Sequence, residues 1–159
     1  MTKKLTALSC KIAFALGMLT FAPSVHAQDA VTLEGDVKVE RTVVENETTT
    51  TFLEEPASVV PGDRLRFTTS YRNQSSETVD NFVVTNPIPS AVALSEDDNE
   101  MMVSVDGGVS YGNLASLTVP ADTGEERAAT LRDVTHVRWV LAELAPGAAG
   151  SLSYYGIVR

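Results

Sequence analysis

His136 is the only histidine after position 27. A serine–histidine–carboxylate relay needs an imidazole as its general base, so any such site must use this residue. Apolar and polar residues alternate around it, and this pattern places His136 and Arg138 together on the outer side of a strand. We therefore predict a solvated surface histidine and no enzyme. A secreted hydrolase stays open as an alternative, because a fold does not determine a function.

Four carboxylates within five residues could bind a hard cation such as Ca²⁺. They belong to Glu96, Asp97, Asp98 and Glu100. Calcium loops spread their oxygen ligands over twelve residues around a central glycine, and this run lacks both features. Neighbouring residues of a loop also cannot all point at one ion. We predict a solvated acidic loop and no cofactor, and a metal site made of these four carboxylates is the alternative.

Several aromatic side chains could stack on sugar rings. Phe67, Tyr71, Trp139 and Tyr154 fall on inward positions of predicted strands, where aromatic residues normally form the core. Tyr155 falls on the opposite face of the last strand, and we predict that it is an exposed aromatic contact. A carbohydrate- or calcium-dependent binding module is accordingly the alternative to the function predicted below.

The charge of the chain excludes two classes of partner. It has 159 residues, of which 12 are basic and 21 acidic. Three basic residues and no acidic one lie in the first 27 positions, so the remainder keeps nine basic residues and a formal charge of −12. Nucleic acids and anionic membranes are bound through clustered positive charge, and we expect neither as a partner. Cys10, the sole cysteine, also lies in this first segment, so no disulfide or thiolate site is expected beyond it.

Residues 1–27 have the three zones of a cleavable export signal. A basic start at Lys3 and Lys4 precedes an apolar stretch over residues 12–22, and small residues follow. Signal peptidase accepts small or slender side chains one and three positions before the cut, so cleavage is predicted after Ala27. The apolar stretch is shorter than the roughly 20 residues of a membrane anchor, and lipid attachment at Cys10 is a further alternative. We predict Sec-type export to the periplasm, the cell surface or the medium, and no transmembrane helix in the mature chain.

Residues 28–159 show the two-residue alternation of half-buried strands, interrupted by turn signals. Asn46 and Glu47 are predicted to turn between two strands rich in β-branched residues. Gly107 and Gly108 suit the turn of a hairpin between residues 102–105 and 109–111. The pattern predicts one domain, an all-β antiparallel sandwich of about seven or more strands. Ten residues are predicted to form its core: Leu65, Phe67, Tyr71, Phe82, Val84, Val137, Trp139, Leu141, Leu152 and Tyr154.

Pro61-Gly62-Asp63 precedes one predicted strand, and Asn86-Pro87-Ile88-Pro89 ends the next. Further stretches follow in order at residues 105–108, 137–139 and 144–147. This order resembles a bacterial conserved-repeat domain, domain of unknown function eleven. The resemblance implies an Ig-like sandwich of about seven strands in a secreted or envelope-associated structural or adhesive module, without shared catalytic residues. Asn86 stands where the family usually has aspartate, so a capping or cation-binding carboxylate is not implied at this position.

These features predict an exported, non-enzymatic Ig-like module whose partner is another protein of the bacterial envelope or surface. An open sandwich has edge strands, and an edge can accept a partner strand through main-chain hydrogen bonds. The threonine-rich residues 45–55 are the predicted edge or exchangeable strand.

Overall fold

A computed structural model describes residues 30–98 and 100–159, in which the regular structure is β apart from two single turns of 3-10 helix at Leu114–Ser116 and Leu131–Asp133. The predicted export signal and its cleavage site after Ala27 lie outside the described residues. The strands are β1 (Val31–Glu45), β2 (Thr48–Glu54), β3 (Arg64–Asn73), β4 (Val79–Pro87), β5 (Val92–Leu94), β6 (Met102–Ser104), β7 (Thr118–Pro120), β8 (Glu126–Ala128), β9 (His136–Leu144) and β10 (Ala149–Val158).

The strands form three antiparallel sheets. The first has five strands in the order β2-β1-β3-β10-β5, and the second has three in the order β4-β9-β6. The short strands β7 and β8 pair only with each other. The expectation of an all-β, antiparallel structure is therefore confirmed.

The first two sheets face each other across one apolar core. Tyr154 of the five-stranded sheet connects the layers, because its ring stacks on Phe67 at 4.7 Å between centroids and lies 6.4 Å from the ring of Trp139 in the three-stranded sheet. The most deeply buried apolar side chains come from both layers: Val39 from the first, and Val84, Val103 and Val137 from the second.

The ten predicted core residues fall into three groups. Leu65, Val84, Val137, Trp139 and Tyr154 are buried, and Phe67, Phe82, Leu141 and Leu152 are half-buried and pack against them. Tyr71 is half-buried and lies outside this core cluster, so its place in the predicted core is corrected. It pairs with Leu33 and Gly150, and Leu33 is itself exposed. Alternation identifies the face of a strand, but it does not show how far the opposite sheet extends over that face.

The last two strands lie in different sheets, although they are consecutive. The turn at Pro146 and Gly147 leads from β9 in the three-stranded sheet to β10 in the five-stranded sheet. In the immunoglobulin arrangement the last two strands share one sheet. The strand order of this chain differs from that arrangement, although the two-layered antiparallel construction is common to both.

The hairpin predicted around Gly107 and Gly108 forms only in part. β6 is present, but its predicted partner at residues 109–111 is not a strand, and a single bridge joins Val103 to Gly112. The loop is closed by Asp106 instead, whose carboxylate accepts hydrogen bonds from the Ser104 and Ser110 hydroxyls, both at 2.6 Å. These two hydroxyls are the main reason why the pKa of the Asp106 carboxyl lies well below its usual range.

The buried phenol of Tyr154 is expected to make the fold sensitive to alkali. Burial raises the pKa of Tyr154 to about 12, against about 10 in an unfolded chain. The fold therefore favours the protonated phenol, and this contribution is complete below about pH 10 and lost progressively as the pH rises towards 12. Tyr154→Phe is expected to change stability little at pH 7, since the hydroxyl makes only a 3.4 Å contact with the Pro87 carbonyl oxygen. Above pH 9 the melting temperature should then fall less steeply with pH for the variant than for the native chain. Parallel declines would contradict the assignment of this alkaline sensitivity to the Tyr154 phenol.

Candidate functional site

The first two strands form an arm that projects beyond the body of the five-stranded sheet. β1 pairs with β3 up to Glu40, opposite Arg64. From there to Glu45 it has β2 as its only neighbour. We call residues 41–53 the arm. It is a two-stranded ribbon whose side chains face solvent on both sides.

A tight turn forms the tip of the arm and sets its register. Asn46 and Glu47 both have positive φ, 48° and 64°, as a type I′ turn requires. The predicted turn at these residues is confirmed. It places Glu45 directly opposite Thr48.

Arg41 fixes the base of the arm to the sheet. Its guanidinium donates to Asp63 Oδ1 at 2.7 Å and to Glu54 Oε1 at 3.1 Å. The pKa of the Asp63 carboxyl is lowered, first by the N–H of Val60 and then by Arg41. The two ion pairs of Arg41 thus join β1, β2 and the loop before β3.

Both faces of the arm carry exposed apolar side chains. Val43 and Phe52 lie on one face and are 40% and 43% exposed. Val44 and Leu53 lie on the other and are 67% and 38% exposed. Isolated two-stranded ribbons are at best marginally stable in water, and grouped exposed apolar residues mark interaction sites. The arm is therefore a surface suited to burial against a partner.

The outer edge of β2 presents unpaired main-chain groups. Residues that flank a two-residue turn form a hydrogen-bonded pair, and such pairs alternate along an antiparallel ladder with pairs whose polar groups point away. Starting from Glu45 and Thr48, this alternation directs the N–H and C=O groups of Thr49, Thr51 and Leu53 away from β1. The edge can accept a further strand without disturbing the arm.

The edges formed by β5, β6 and β4 are blunted, whereas Val31–Lys38 of β1, which pair with β3 alone, leave a second open stretch beside β2. β5 has three residues and packs beside the 3-10 turn at Leu131–Asp133. β6 also has three residues, and Gly112 bonds to its outer side through Val103. β4 is interrupted by Asn81, at a φ of 51°, and ends at Pro87, which has no N–H to donate. β2 has seven residues without proline or lysine, so it lacks the usual protection of an edge.

The acidic run does not come together as a metal site. Glu96 pairs with Arg64, Oε2 to Nη2 at 3.0 Å, and Asp98 accepts the N–H of Glu100 at 3.1 Å. Over residues 30–98 and 100–159 no three histidine, cysteine or acidic side chains are grouped so that they could hold a metal ion. Glu96, Asp97, Asp98 and Glu100 therefore do not converge within the part of the chain that the structure describes.

His136 is half-buried on β9, and its Nδ1 lies 3.1 Å from the hydroxyl of Thr135. The expectation that the chain contains no Gly-x-Ser-x-Gly pattern is wrong, because the nearby residues 108–112 have it. This pattern marks a nucleophile only on a strand-to-helix turn, whereas Ser110 lies in the loop after β6. Its hydroxyl donates to Asp106, so the contacts observed around it are those of a loop closure rather than of a catalytic relay.

Tyr155 is not the exposed contact that the sequence predicted. The Arg64 guanidinium lies over its ring, 4.2 Å from the centroid, and the tyrosine is half-buried. A cleft of about 740 Å³ lies near this pair. The residues that line it include Arg64, Arg132 and Arg159 together with Glu96. Ser95 also lines it, and the buried Ser95 hydroxyl has no hydrogen-bond partner among the described residues.

No helix within the described ranges has the length and apolar character needed to cross a bilayer. Comparison with protein-family models, curated proteins and solved structures found no match. The resemblance to the conserved-repeat domain therefore stays a prediction carried by the residues quoted for it.

Proposed function

We propose that this chain is an exported, non-enzymatic interaction module of the bacterial envelope or cell surface, Ig-like in its two-layered construction. The observation that carries the proposal is the arm, a projecting ribbon with an unprotected edge. The partner is an extended segment of another exported protein, which adds to β2 as a further antiparallel strand. The export pattern of residues 1–27 and the acidic remainder support a location outside the cytoplasm and a protein partner.

Strand addition suits the chemistry of the arm. Main-chain hydrogen bonds to Thr49, Thr51 and Leu53 would supply affinity, and alternate side chains of the incoming strand would pack beside Phe52 or Leu53. β2 contributes no side chain to the core, since each of its residues is exposed. The arm can therefore bind and release a partner without repacking the sandwich.

Replacing Thr51 by proline tests the proposal. Proline removes one outward N–H and places its ring on the edge, and the pairing of β2 with β1 does not use that N–H. We expect capture of partners from envelope extracts to fall roughly tenfold, which corresponds to about 1.4 kcal/mol, the size of one or two lost hydrogen bonds. Quantitative affinity capture on immobilised protein measures the effect.

Thr51→Val is the matched control. Like proline, it removes the contact between the Thr51 and Thr42 hydroxyls at 3.2 Å, but it keeps the main-chain N–H and favours strand conformation. Capture by this variant should equal that of the native chain. A chain without residues 45–55 should capture nothing specific while it keeps its cooperative melting. Equal recovery of partners by the native chain, the proline variant and the deletion would refute the proposal.

A further inference from the structure

We infer that the arm also pairs with the arm of a second copy of this chain, β2 against β2, in an antiparallel ribbon of four strands with its twofold axis at Thr51. This inference rests on the proposed function, because both use the same edge. It names one partner of that edge, the chain itself, and so predicts a dimer.

The hydrogen-bonding pattern of β2 is complementary to itself. In a twofold contact each residue whose main-chain N–H and C=O groups point outward must face another residue of this kind. With the axis at Thr51, Thr51 of one copy faces Thr51 of the other. Thr49 of each copy then faces Leu53 of the other copy. All seven residues of β2 are paired in this register, and no proline interrupts it.

The same register brings together the exposed apolar side chains. Phe52 of each copy lies opposite Thr50 of the other, and Val43 is the cross-strand neighbour of Thr50. One face of the ribbon thus holds both copies of Val43 and Phe52, with the two Phe52 side chains on the two central strands. On the opposite face Leu53 meets Thr49, whose neighbour in its own arm is Val44. Two marginal ribbons become one sheet of four strands, the kind of assembly that is stable in water.

The centre of the contact lacks charged side chains. Two strongly acidic chains repel each other, but residues 48–53 carry no charge. Beyond their carboxyl end Glu54 pairs with Arg41 at 3.1 Å and Glu55 pairs with Lys38, whereas Glu45 and Glu47 at the tip of the arm have no ion pair among the described residues. The remaining long-range repulsion is screened by salt, so dimerisation should strengthen as ionic strength rises.

Sedimentation equilibrium over a concentration series tests the inference, with the native chain, Thr51→Pro and Thr51→Val compared in the same buffer. We expect a monomer–dimer equilibrium for the native chain and for Thr51→Val, and a dissociation constant at least tenfold higher for Thr51→Pro. A native chain that stays monomeric up to about millimolar concentration would overturn the inference. So would a dimer that Thr51→Pro does not weaken.

A cysteine at the twofold axis tests the register independently. In a chain with Cys10→Ser, which has no other cysteine, Thr51→Cys places two thiols on residues about 5.5 Å apart between Cα atoms, within the range of a disulfide. Mild oxidation should cross-link this variant rapidly, whereas Ser151→Cys, exposed on β10, should stay monomeric. Equal cross-linking at the two positions would contradict the inference.

The two proposals fail separately. A chain that is monomeric at all concentrations but still captures partners through Thr51 would refute self-pairing and leave the proposed function intact. A dimer that captures nothing from the extract would refute the proposed function and support self-pairing.

Discussion

Replacing Asn73 by alanine is expected to lower the free energy of unfolding by about 3–5 kcal/mol, since one buried and two partly buried carbonyls lose their donor at once. The side chain of Asn73 is fully buried, and its amide nitrogen donates to the carbonyl oxygens of Glu77 and Leu144, both at 2.8 Å. Its oxygen accepts from the N–H and hydroxyl of Ser75. Asn73 thereby ties the end of β3 to the point where the chain crosses from β9 to β10. Urea denaturation followed by tryptophan fluorescence measures the loss.

Asn86→Ala is the control for this prediction. Asn86 is also an asparagine on a strand, but it is half-buried and donates one hydrogen bond, to the Thr69 hydroxyl at 2.7 Å. Its replacement is expected to cost about 1 kcal/mol. If the two variants lose similar stability, Asn73 does not hold the crossover as described.

Properties set by residues close in sequence could be predicted from the sequence. The alternation at residues 64–71 correctly placed Leu65 in the core, and Asn46 with Glu47 correctly marked a two-residue turn. Both signals depend on steric rules that act over a few residues, namely the alternation of side chains along a strand and the dihedral angles of a tight turn. The sheet that a strand joins is not encoded at that range.

Long-range partners could not be predicted for this reason. Pro146 and Gly147 mark a turn, but nothing in the alternation of β9 and β10 indicates that the turn leads between sheets. The contact that holds it joins Asn73 to Leu144, 71 positions apart. A polar hub of this kind interrupts the apolar pattern and therefore looks like a loop residue in the sequence. The contact between the Arg64 guanidinium and the ring of Tyr155 is also long-range in sequence.

The candidate site could be predicted from the sequence only in part. The threonine-rich residues 45–55 indicated an edge strand, and β2 does lie at the edge of its sheet. The projection of the arm depends instead on where β3 begins, because Arg64 is the last partner of β1 in the body of the sheet. The protection of the other edges depends on contacts such as the one between Val103 and Gly112. Only the assembled fold shows that β2 lacks such protection and that Val31–Lys38 of β1 form a second open stretch of the same sheet.

A methyl group added at Gly156 is expected to destabilise the chain by about 3 kcal/mol, although glycine to alanine usually favours a strand. Gly156 is buried on β10 between Leu65 of β3 and Leu94 of β5. A Cβ atom there would clash with Cγ1 of Val92 and lie 3.1 Å from the carbonyl oxygen of Ala93. Val92 is a buried β-branched residue with little rotamer freedom, and the carbonyl belongs to the backbone of β5. Neither can move without separating β5 from the sheet.

Gly150→Ala on the same strand distinguishes this packing effect from any general effect of alanine. A Cβ atom at position 150 would also meet a side chain, but its neighbours are the hydroxyl and ring edge of Tyr71, which is half-buried and can rotate outward. The cost is therefore expected to stay within about 1 kcal/mol. Melting temperatures of the two variants at pH 7 compare them directly. Equal decreases in melting temperature would mean that the backbone of β5 moves as easily as the side chain of Tyr71. β5 would then not close this edge of the sheet as firmly as its packing against Gly156 implies.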